Sequence, residues 1–150
     1  MLFKTHLAIA VFFIVLFLSA VSNKWLFVLV VLLSTLLADI DSEHSLVGRY
    51  LVFKPIQFLA RHRGVFHSLT FLILVSVFFA MFIPAIAFAF FLGYGAHLVA
   101  DSFTKEGIRP FYPLKARYSG WVTSGGRSEV IIFVVFVIVD LFLVAARVFV

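Results

Sequence analysis

Long apolar segments alternate with short polar ones along this chain. Residues 7–21 and 25–38 are almost wholly apolar and are separated by the polar break at 22–24. A polar stretch follows over 39–64, and residues 65–100 then contain no Asp, Glu, Lys or Arg. The pattern predicts membrane-spanning helices joined by short polar connections.

The segment 65–100 is too long to cross a bilayer once, since a spanning helix needs about 20 residues. Pro84 favours the first turn of a helix and disrupts a helix interior, so it predicts a break. We therefore expect spans at 65–83 and 84–100, joined by a tight apolar turn. A basic loop at 102–127 precedes a last span, 129–150, with Ser128 as its expected N-cap. The prediction is five transmembrane helices.

Composition supports this prediction. The chain is 64% hydrophobic and 13% charged, against about 25% charged residues in a soluble domain, and its mean hydropathy is +1.19. In lipid, helices satisfy their own backbone hydrogen bonds. The fold class is therefore an all-α integral membrane protein, and the 150 residues form one domain. The absence of cysteine excludes disulfides and thiolate metal sites.

The first 22 residues also fit a second pattern, that of a cleaved signal peptide. Lys4 would form its basic region, residues 7–18 its apolar region and residues 20–22 its small-residue cleavage site. The pattern by itself leaves this alternative open beside a first transmembrane helix.

Basic residues predict the orientation, because cytoplasmic loops are enriched in Lys and Arg. With a cytoplasmic N-terminus, only Lys24 and Arg147 fall outside. Ten basic residues fall inside: Lys4, Arg49, Lys54, Arg61, Arg63, Lys105, Arg109, Lys115, Arg117 and Arg127. The net charge of +5 is explained by these loops, so we expect no nucleic-acid binding.

Histidines and acids converge on the same side. All five histidines and every acid except Asp140 lie at the cytoplasmic ends or in the cytoplasmic loops. His44 lies in a polar stretch and is expected to be solvated. The side chains at helix ends are the candidate metal ligands: His6, Asp39, His62, His67, His97 and Asp101.

The spacing of these residues is compatible with a metal site. His97 and Asp101 are four residues apart and share a helix face. Asp41 follows Asp39 closely enough for both to turn toward one point, and it is a further ligand or the general base. Imidazole and carboxylate together suit zinc, manganese or iron(II).

The same region offers groups that suit phosphoester hydrolysis. A divalent ion makes a bound water nucleophilic, and Arg63 is placed to hold an anionic oxygen in a bidentate fork. Arg127 is a second candidate for substrate binding. Ser68 and Thr104 either assist the ligands and substrate or bond the preceding helical turn.

The chain resembles a known family, the LexA-regulated, membrane-bound metal-dependent hydrolases of the YdjM-like type. The resemblance covers residues 5–114 and rests on these pieces: Thr5-His6-Leu7, Asp39-Ile40-Asp41, H-R-G-V-F-H-S at 62–68, G-Y-G-A-H-L-V-A-D at 93–101, Thr104, Gly107 and Pro113-Leu114. Family members often have Pro where this chain has Ala38. That departure concerns helix-end geometry more than ligation.

The resemblance implies a hydrolase in the plasma membrane of a prokaryote, with a cytoplasmic-facing site. It implies a divalent metal cofactor, zinc in the first place, and distant similarity to zinc-dependent phospholipase C and P1-type nucleases. The substrate class is then a phosphoester or phospholipid, with membrane lipid as partner. It also implies that His6 belongs to the mature protein, against the signal-peptide alternative.

Other functions remain open at this stage. The His/Asp cluster also suits a metal-ion or proton transporter or sensor, with Asp140 deeper in the path. A haem-binding electron carrier is disfavoured by the many acids. Asp140 is expected to need a partner within lipid, and Arg147 lies two turns away on the same helix. Residues 123–129 suit a capped turn better than a phosphate-cradling loop, because the glycine and lysine spacing of a P-loop is missing.

Overall fold

The computed structural model describes residues 1–39 and 64–149, and these residues form helices without any β-strand. The five helices are α1 Phe3–Phe17, α2 Lys24–Leu37, α3 Leu69–Phe82, α4 Pro84–Ser102 and α5 Arg127–Phe149. Each of the five predicted spans overlaps one of them. The all-α prediction is thus confirmed for the described parts of the chain.

Local chemistry sets the helix boundaries. The side chain of Asn23 accepts a hydrogen bond from the backbone N–H of Leu26 at 3.1 Å, which caps α2. Ser68 caps α3 in the same way, so this helix begins four residues later than residue 65, where the hydrophobic pattern begins. Pro84 occupies the first turn of α4, after Ile83 leaves the helical conformation at φ −141°. The break predicted at Pro84 is confirmed.

Helix length separates two candidate membrane spans from three shorter apolar helices. Pro84–Ser102 and Arg127–Arg147 are long and apolar enough to cross a bilayer. The other three helices, α1 to α3, have 14 or 15 residues, or about 21–23 Å at the helical rise. A hydrocarbon core is about 30 Å thick. The expectation that all five helices span the membrane therefore holds by length for two of them.

Helix α4 is the centre of the bundle. It packs against α1, α2 and α3, whereas α5 packs against α1. Phe90, Tyr94 and Leu98 of α4 form one buried cluster with Ala38 and Leu72. About half of α4 is buried, against about a tenth of α5. Helix α5 consequently exposes most of its apolar surface, whereas α4 exposes about half.

Gly93 lets α2 and α4 approach closely. A Cβ atom at this position would lie 2.3 Å from both the Val31 carbonyl oxygen and Ser34 Oγ. The hydroxyl of Thr35 donates to the Gly93 carbonyl oxygen at 3.1 Å, which ties the two helices together. This contact lies one helical turn before His97 on α4 and just before the C-terminal end of α2. It therefore brings His97 close to the end of α2.

One end of the bundle, which we call the site end, collects five helix termini. The N-terminal ends of α1, α3 and α5 meet the C-terminal ends of α2 and α4 there. Two bonds illustrate this arrangement: the Leu2 N–H donates to the Glu129 carboxylate, and the Thr70 N–H donates to the Pro110 carbonyl. The site end is where the predicted polar residues fall.

Candidate metal centre

Three separate segments bring four ligand-type side chains to one point at the site end. Asp39 directly follows the C-cap of α2, and His67 directly precedes the N-cap of α3. His97 and Asp101 lie one turn apart on α4. One nitrogen or oxygen atom from each residue lies within 4.8 Å of those from the other three.

The spacing of these atoms is close to tetrahedral. His67 Nε2 lies 3.5 Å from Asp39 Oδ1 and 3.6 Å from Asp101 Oδ2. His97 Nε2 lies 3.7 and 3.8 Å from the same two oxygens. A tetrahedron with zinc–ligand bonds of about 2.0–2.1 Å has edges of about 3.3–3.4 Å. These four of the six edges exceed this by a few tenths of an ångström, and all six lie within 4.8 Å, so an inward movement of the side chains would be needed to match them to zinc.

His6 of α1 joins the cluster from its other side. Its ring stacks on the ring of His97, with centroids 3.9 Å apart and planes inclined by 10°. Its Nε2 lies 3.3 Å from Asp101 Oδ1, and the amino group of Met1 lies 2.5 Å from that oxygen. The two oxygens of Asp101 therefore face different partners: Oδ1 faces α1, and Oδ2 faces His67 and His97.

Burial differs between the members of the cluster. The side chains of His6, His67, His97 and Asp101 are at most 2% exposed, whereas that of Asp39 is 29% exposed. Solvent or a ligand therefore reaches the cluster along the Asp39 edge.

The residues present fit a divalent metal ion. Neither ring nitrogen of His97 has a hydrogen-bond partner within the described residues, although both are buried. A buried polar atom without a partner is costly. Coordination of a metal ion by Nε2 would give one of the two nitrogens a partner. Two carboxylates also supply the negative charge that a divalent cation requires, and imidazole with carboxylate is a common donor set for zinc.

Asp39 is held in its charged form. Burial opposes ionisation, but the hydrogen bond from His67 and the nearby imidazoles outweigh it and lower the pKa of this carboxyl. Asp39 is thus a carboxylate, the form that ligates metal.

The amino-acid sequence was compared with protein families and with curated proteins. The sequence model of the YdjM inner membrane protein family matches residues 1–149. This chain belongs to the YdjM family. Two curated relatives, named inner membrane protein YdjM, come from Escherichia coli K12 and Shigella flexneri. Each is 36% identical over 108 residues, which cover 66% of this chain and 55% of the relative. The chain therefore spans about half the length of these relatives. No solved structure matches.

Family membership supports an inner membrane location for this YdjM-family chain. What the comparisons confirm is membership of the YdjM family.

Several predicted site residues lie outside the described residues. These are Asp41, His62 and Arg63, and His44, which was expected to be solvated, lies outside them as well. Arg127 is described, and it lies exposed at the first position of α5.

Ser68 and Thr104 serve local structure. The Ser68 hydroxyl donates to the Val65 carbonyl at 2.6 Å and caps α3 at Phe71. Thr104 donates to the backbone carbonyl of Asp101 at 2.7 Å and accepts from the Gly107 N–H at 3.1 Å. These are the local backbone bonds that the sequence gave as one of two alternatives for these hydroxyls, and a role beside the ligands or substrate stays a prediction.

The α5 terminus differs from the sequence prediction. Ser128 lies inside the first turn of α5 and not at its N-cap. The Glu129 carboxylate accepts a hydrogen bond from the Gly125 N–H, just before the helix, at 2.6 Å. The other carboxylate oxygen of Glu129 accepts from the Leu2 N–H, so this buried side chain joins α5 to the start of α1. Sequence reasoning did not identify this contact, because the partner of Glu129 is 127 residues away.

Tyr94 was also missed as a supporting residue. Its hydroxyl donates to the Phe66 carbonyl oxygen at 2.6 Å, and its ring is 1% exposed. The bond holds the backbone directly before His67. A tyrosine one turn before His97 in an apolar helix was the available signal, since a buried phenol usually finds an acceptor.

Asp140 and Arg147 do not pair with each other. Arg147 donates to the Leu16 carbonyl at 3.2 Å and approaches Ser19 Oγ at 3.5 Å, at the far end of α1. Asp140 is 8% exposed and lines a cavity of about 360 Å³ between α1 and α5. Arg147, which the sequence offered as a nearby cation for Asp140, therefore bonds α1 instead.

Proposed function

We propose that this YdjM-family protein binds a divalent metal ion, zinc in the first place, and hydrolyses a phosphoester at the membrane surface. The observation that carries this proposal is the cluster at the site end. Three segments distant in sequence place two imidazoles and two carboxylates within 4.8 Å. Such a group of buried polar side chains in an apolar bundle is costly unless its members are paired or bind an ion.

The proposed ligands are Asp39, His67, His97 and Asp101. Zinc is favoured over manganese because the measured edges, 3.5–3.8 Å, approach those of a tetrahedron. His6 acts on the same site through Asp101, either as a further ligand or by fixing the orientation of that carboxylate. Its stacking on His97 also limits the rotation of the His97 ring.

The bound ion would lower the pKa of a water and polarise a phosphoryl oxygen. The partly exposed edge at Asp39 admits the substrate, because the other ligands are buried. Three residues outside the described ranges complete the proposal. Arg63 holds the phosphate, His62 is an additional ligand, and Asp41 is a ligand or the general base.

The substrate class follows from the position of the site. The cluster lies at the ends of apolar helices, where phosphate headgroups of membrane lipids are found. A lipid phosphate or phospholipid is therefore the first substrate to test, with soluble phosphoesters second. Arg127, exposed at the start of α5, is a proposed substrate contact.

The bias in Lys and Arg places the site end on the cytoplasmic side of a prokaryotic plasma membrane. In this orientation Lys24 lies outside, and the basic loop before α5 lies inside.

Metal analysis of the full-length protein is the deciding experiment. Protein purified in detergent without chelator should contain close to one equivalent of zinc, manganese or iron by mass spectrometry. His97→Ala should lose it, and Asp140→Asn, which changes a buried acid away from the cluster, should retain it. If the wild-type protein contains no metal and binds none on titration, the proposal fails.

Activity is a second, separable step. Metal-loaded protein in liposomes should release phosphate or a phosphorylated headgroup from phosphoester and phospholipid substrates, and apo-protein should not. Metal uptake into sealed proteoliposomes, with no turnover in a broad substrate screen, would contradict the hydrolase and favour a transporter.

A further inference from the structure

The connection between α4 and α5 is a backbone-bonded loop, which we call the interfacial loop and define as residues 103–122. Lys105 N–H donates to the Val122 carbonyl at 2.9 Å, and the Ile108 and Tyr118 backbones exchange two bonds of 2.9 Å. Thr104, Ile108 and Val122 are at most 5% exposed and form the inner side of the loop. These bonds give the loop a fixed shape.

Gly107 is required by this shape. Its φ of +56° lies in the left-handed region, and a Cβ atom would lie 2.1 Å from the Tyr118 carbonyl oxygen. The two sides of the loop therefore meet at Gly107 with no room for a side chain. The outward-facing side chains have no space there in which to be buried.

The outer side of the interfacial loop exposes large apolar side chains. Phe111, Leu114, Tyr118 and Trp121 are 59–69% exposed. Four large apolar side chains exposed within eleven residues of one loop suit an interaction surface. Aromatic side chains are enriched where a membrane protein leaves the lipid, because their rings tolerate the headgroup region.

Exposed cations lie among these aromatic residues. Lys105, Arg109, Lys115 and Arg117 are exposed, and Glu106 is the one acid between residues 103 and 122. The loop thus carries a net charge of +3. The guanidinium of Arg117 is bonded to the Glu106 carbonyl, whereas the other three side chains extend from the loop.

The loop is fixed at the level where the helices end. It connects the two candidate spans, α4 and α5, and the Pro110 carbonyl accepts a hydrogen bond from Thr70 in the first turn of α3. It therefore lies at the site end, beside the segment that holds His67. Its apolar side chains are therefore close to the ends of the two candidate spans.

We propose that the interfacial loop binds anionic phospholipid headgroups of the bilayer leaflet at the site end. The aromatic rings enter the boundary between headgroups and acyl chains, and the three extended cations contact the lipid phosphates. The sign of the charge selects an anionic headgroup over a zwitterionic one. This inference is independent of whether the metal centre catalyses hydrolysis.

The two tryptophans allow a direct test. Trp25 lies at the start of α2, at the end opposite to the loop. In a Trp25→Phe background, the remaining fluorescence reports Trp121 in the loop. Full-length protein is reconstituted into nanodiscs of phosphatidylglycerol and phosphatidylcholine at a fixed ratio, with bromine on the acyl chains of one lipid or of the other. Brominated phosphatidylglycerol should quench Trp121 about twofold more than brominated phosphatidylcholine at equal mole fraction, because the cations enrich the anionic lipid.

A charge variant separates headgroup binding from simple insertion. Replacing Lys105, Arg109 and Lys115 together by Gln should abolish the difference between the two brominated lipids. Lys24→Gln, at the opposite end, should leave it unchanged. Arg117 is kept, because its bond to the Glu106 carbonyl helps to shape the loop. An unchanged thermal unfolding midpoint of the triple variant confirms that the fold is intact.

Two outcomes overturn the inference. Equal quenching by both lipids in the unmodified loop would mean insertion without headgroup selection. Absence of quenching by either lipid would mean that Trp121 lies in water, away from the bilayer.

Discussion

The rings of His6 and His97 lie face to face, 3.9 Å apart, although 90 residues separate them in the chain. His6 also approaches Asp101 Oδ1, the oxygen that points away from His67. Through these two contacts, helix α1 controls the orientation of two proposed ligands on α4.

Substitution of His6 should therefore weaken metal binding without abolishing it. We expect His6→Ala to reduce the affinity for zinc by about 10–100-fold, the usual effect of losing a residue that orients ligands. Competition with a chromogenic chelator measures this. His6→Phe keeps an aromatic ring against His97 but loses the nitrogen near Asp101. A variant that binds zinc as weakly as His97→Ala would instead identify His6 as a ligand.

Gly93→Ala should destabilise the protein, because its methyl group would overlap the Val31 carbonyl and Ser34 Oγ. Overpacking of this kind costs about 1–3 kcal/mol, and separation of α2 from α4 would move Asp39 away from His97. We expect a lower thermal unfolding midpoint and weaker zinc binding.

Gly95→Ala is the matched control for this change. The nearest atom to its added Cβ is Leu72 Cδ2 at 3.5 Å, an ordinary contact. Equal behaviour of the Gly93 and Gly95 variants would contradict the close approach of α2 and α4.

Tyr94→Phe should leave the Phe66 carbonyl oxygen without its phenolic donor. The loss of a buried hydrogen bond costs about 1–3 kcal/mol, and here it also loosens the backbone before His67. We expect reduced stability together with a faster rate of zinc loss to chelator. Tyr112→Phe, in the interfacial loop, is the control and should change neither. Wild-type zinc kinetics in Tyr94→Phe would show that His67 is held by other contacts.

Asp140→Asn should separate hydrolysis from transport. Asp140 lines the cavity between α1 and α5, away from the four proposed ligands. In a hydrolase, the variant should retain bound zinc and turnover within about twofold of wild type, since distant substitutions act nearly independently. Loss of metal uptake into proteoliposomes, with zinc binding retained, would instead place Asp140 on an ion pathway.

Much of the architecture was accessible from hydrophobic periodicity. The break at Pro84 and the cap at Ser68 follow from side-chain chemistry within a few residues. The sequence predicted that this helix begins at residue 65, whereas it begins at Leu69. Residues 65–68 carry no formal charge and so extend the uncharged segment, but they form the turn that carries His67.

Part of the candidate site could be predicted from the spacing of its residues in the sequence. The i, i+4 spacing of His97 and Asp101 places both on one face of any helix. Their proximity to Asp39 and His67 depends on how α2, α3 and α4 pack, which the sequence indicated only through the shared polarity of the helix ends.

The amino-acid sequence by itself determined the helices, their order and the ligand types available at their ends, because these depend on local hydrogen bonding and hydropathy. Only the tertiary structure decided that Gly93 brings α2 against α4, that Glu129 holds the start of α1, and that Arg147 bonds α1 instead of Asp140. The shortest of the separations in these contacts, Ser34 to Gly93, is 59 positions, and the longest, Leu16 to Arg147, is 131. The formation of these contacts depends on the packing of whole helices, which no local pattern encodes.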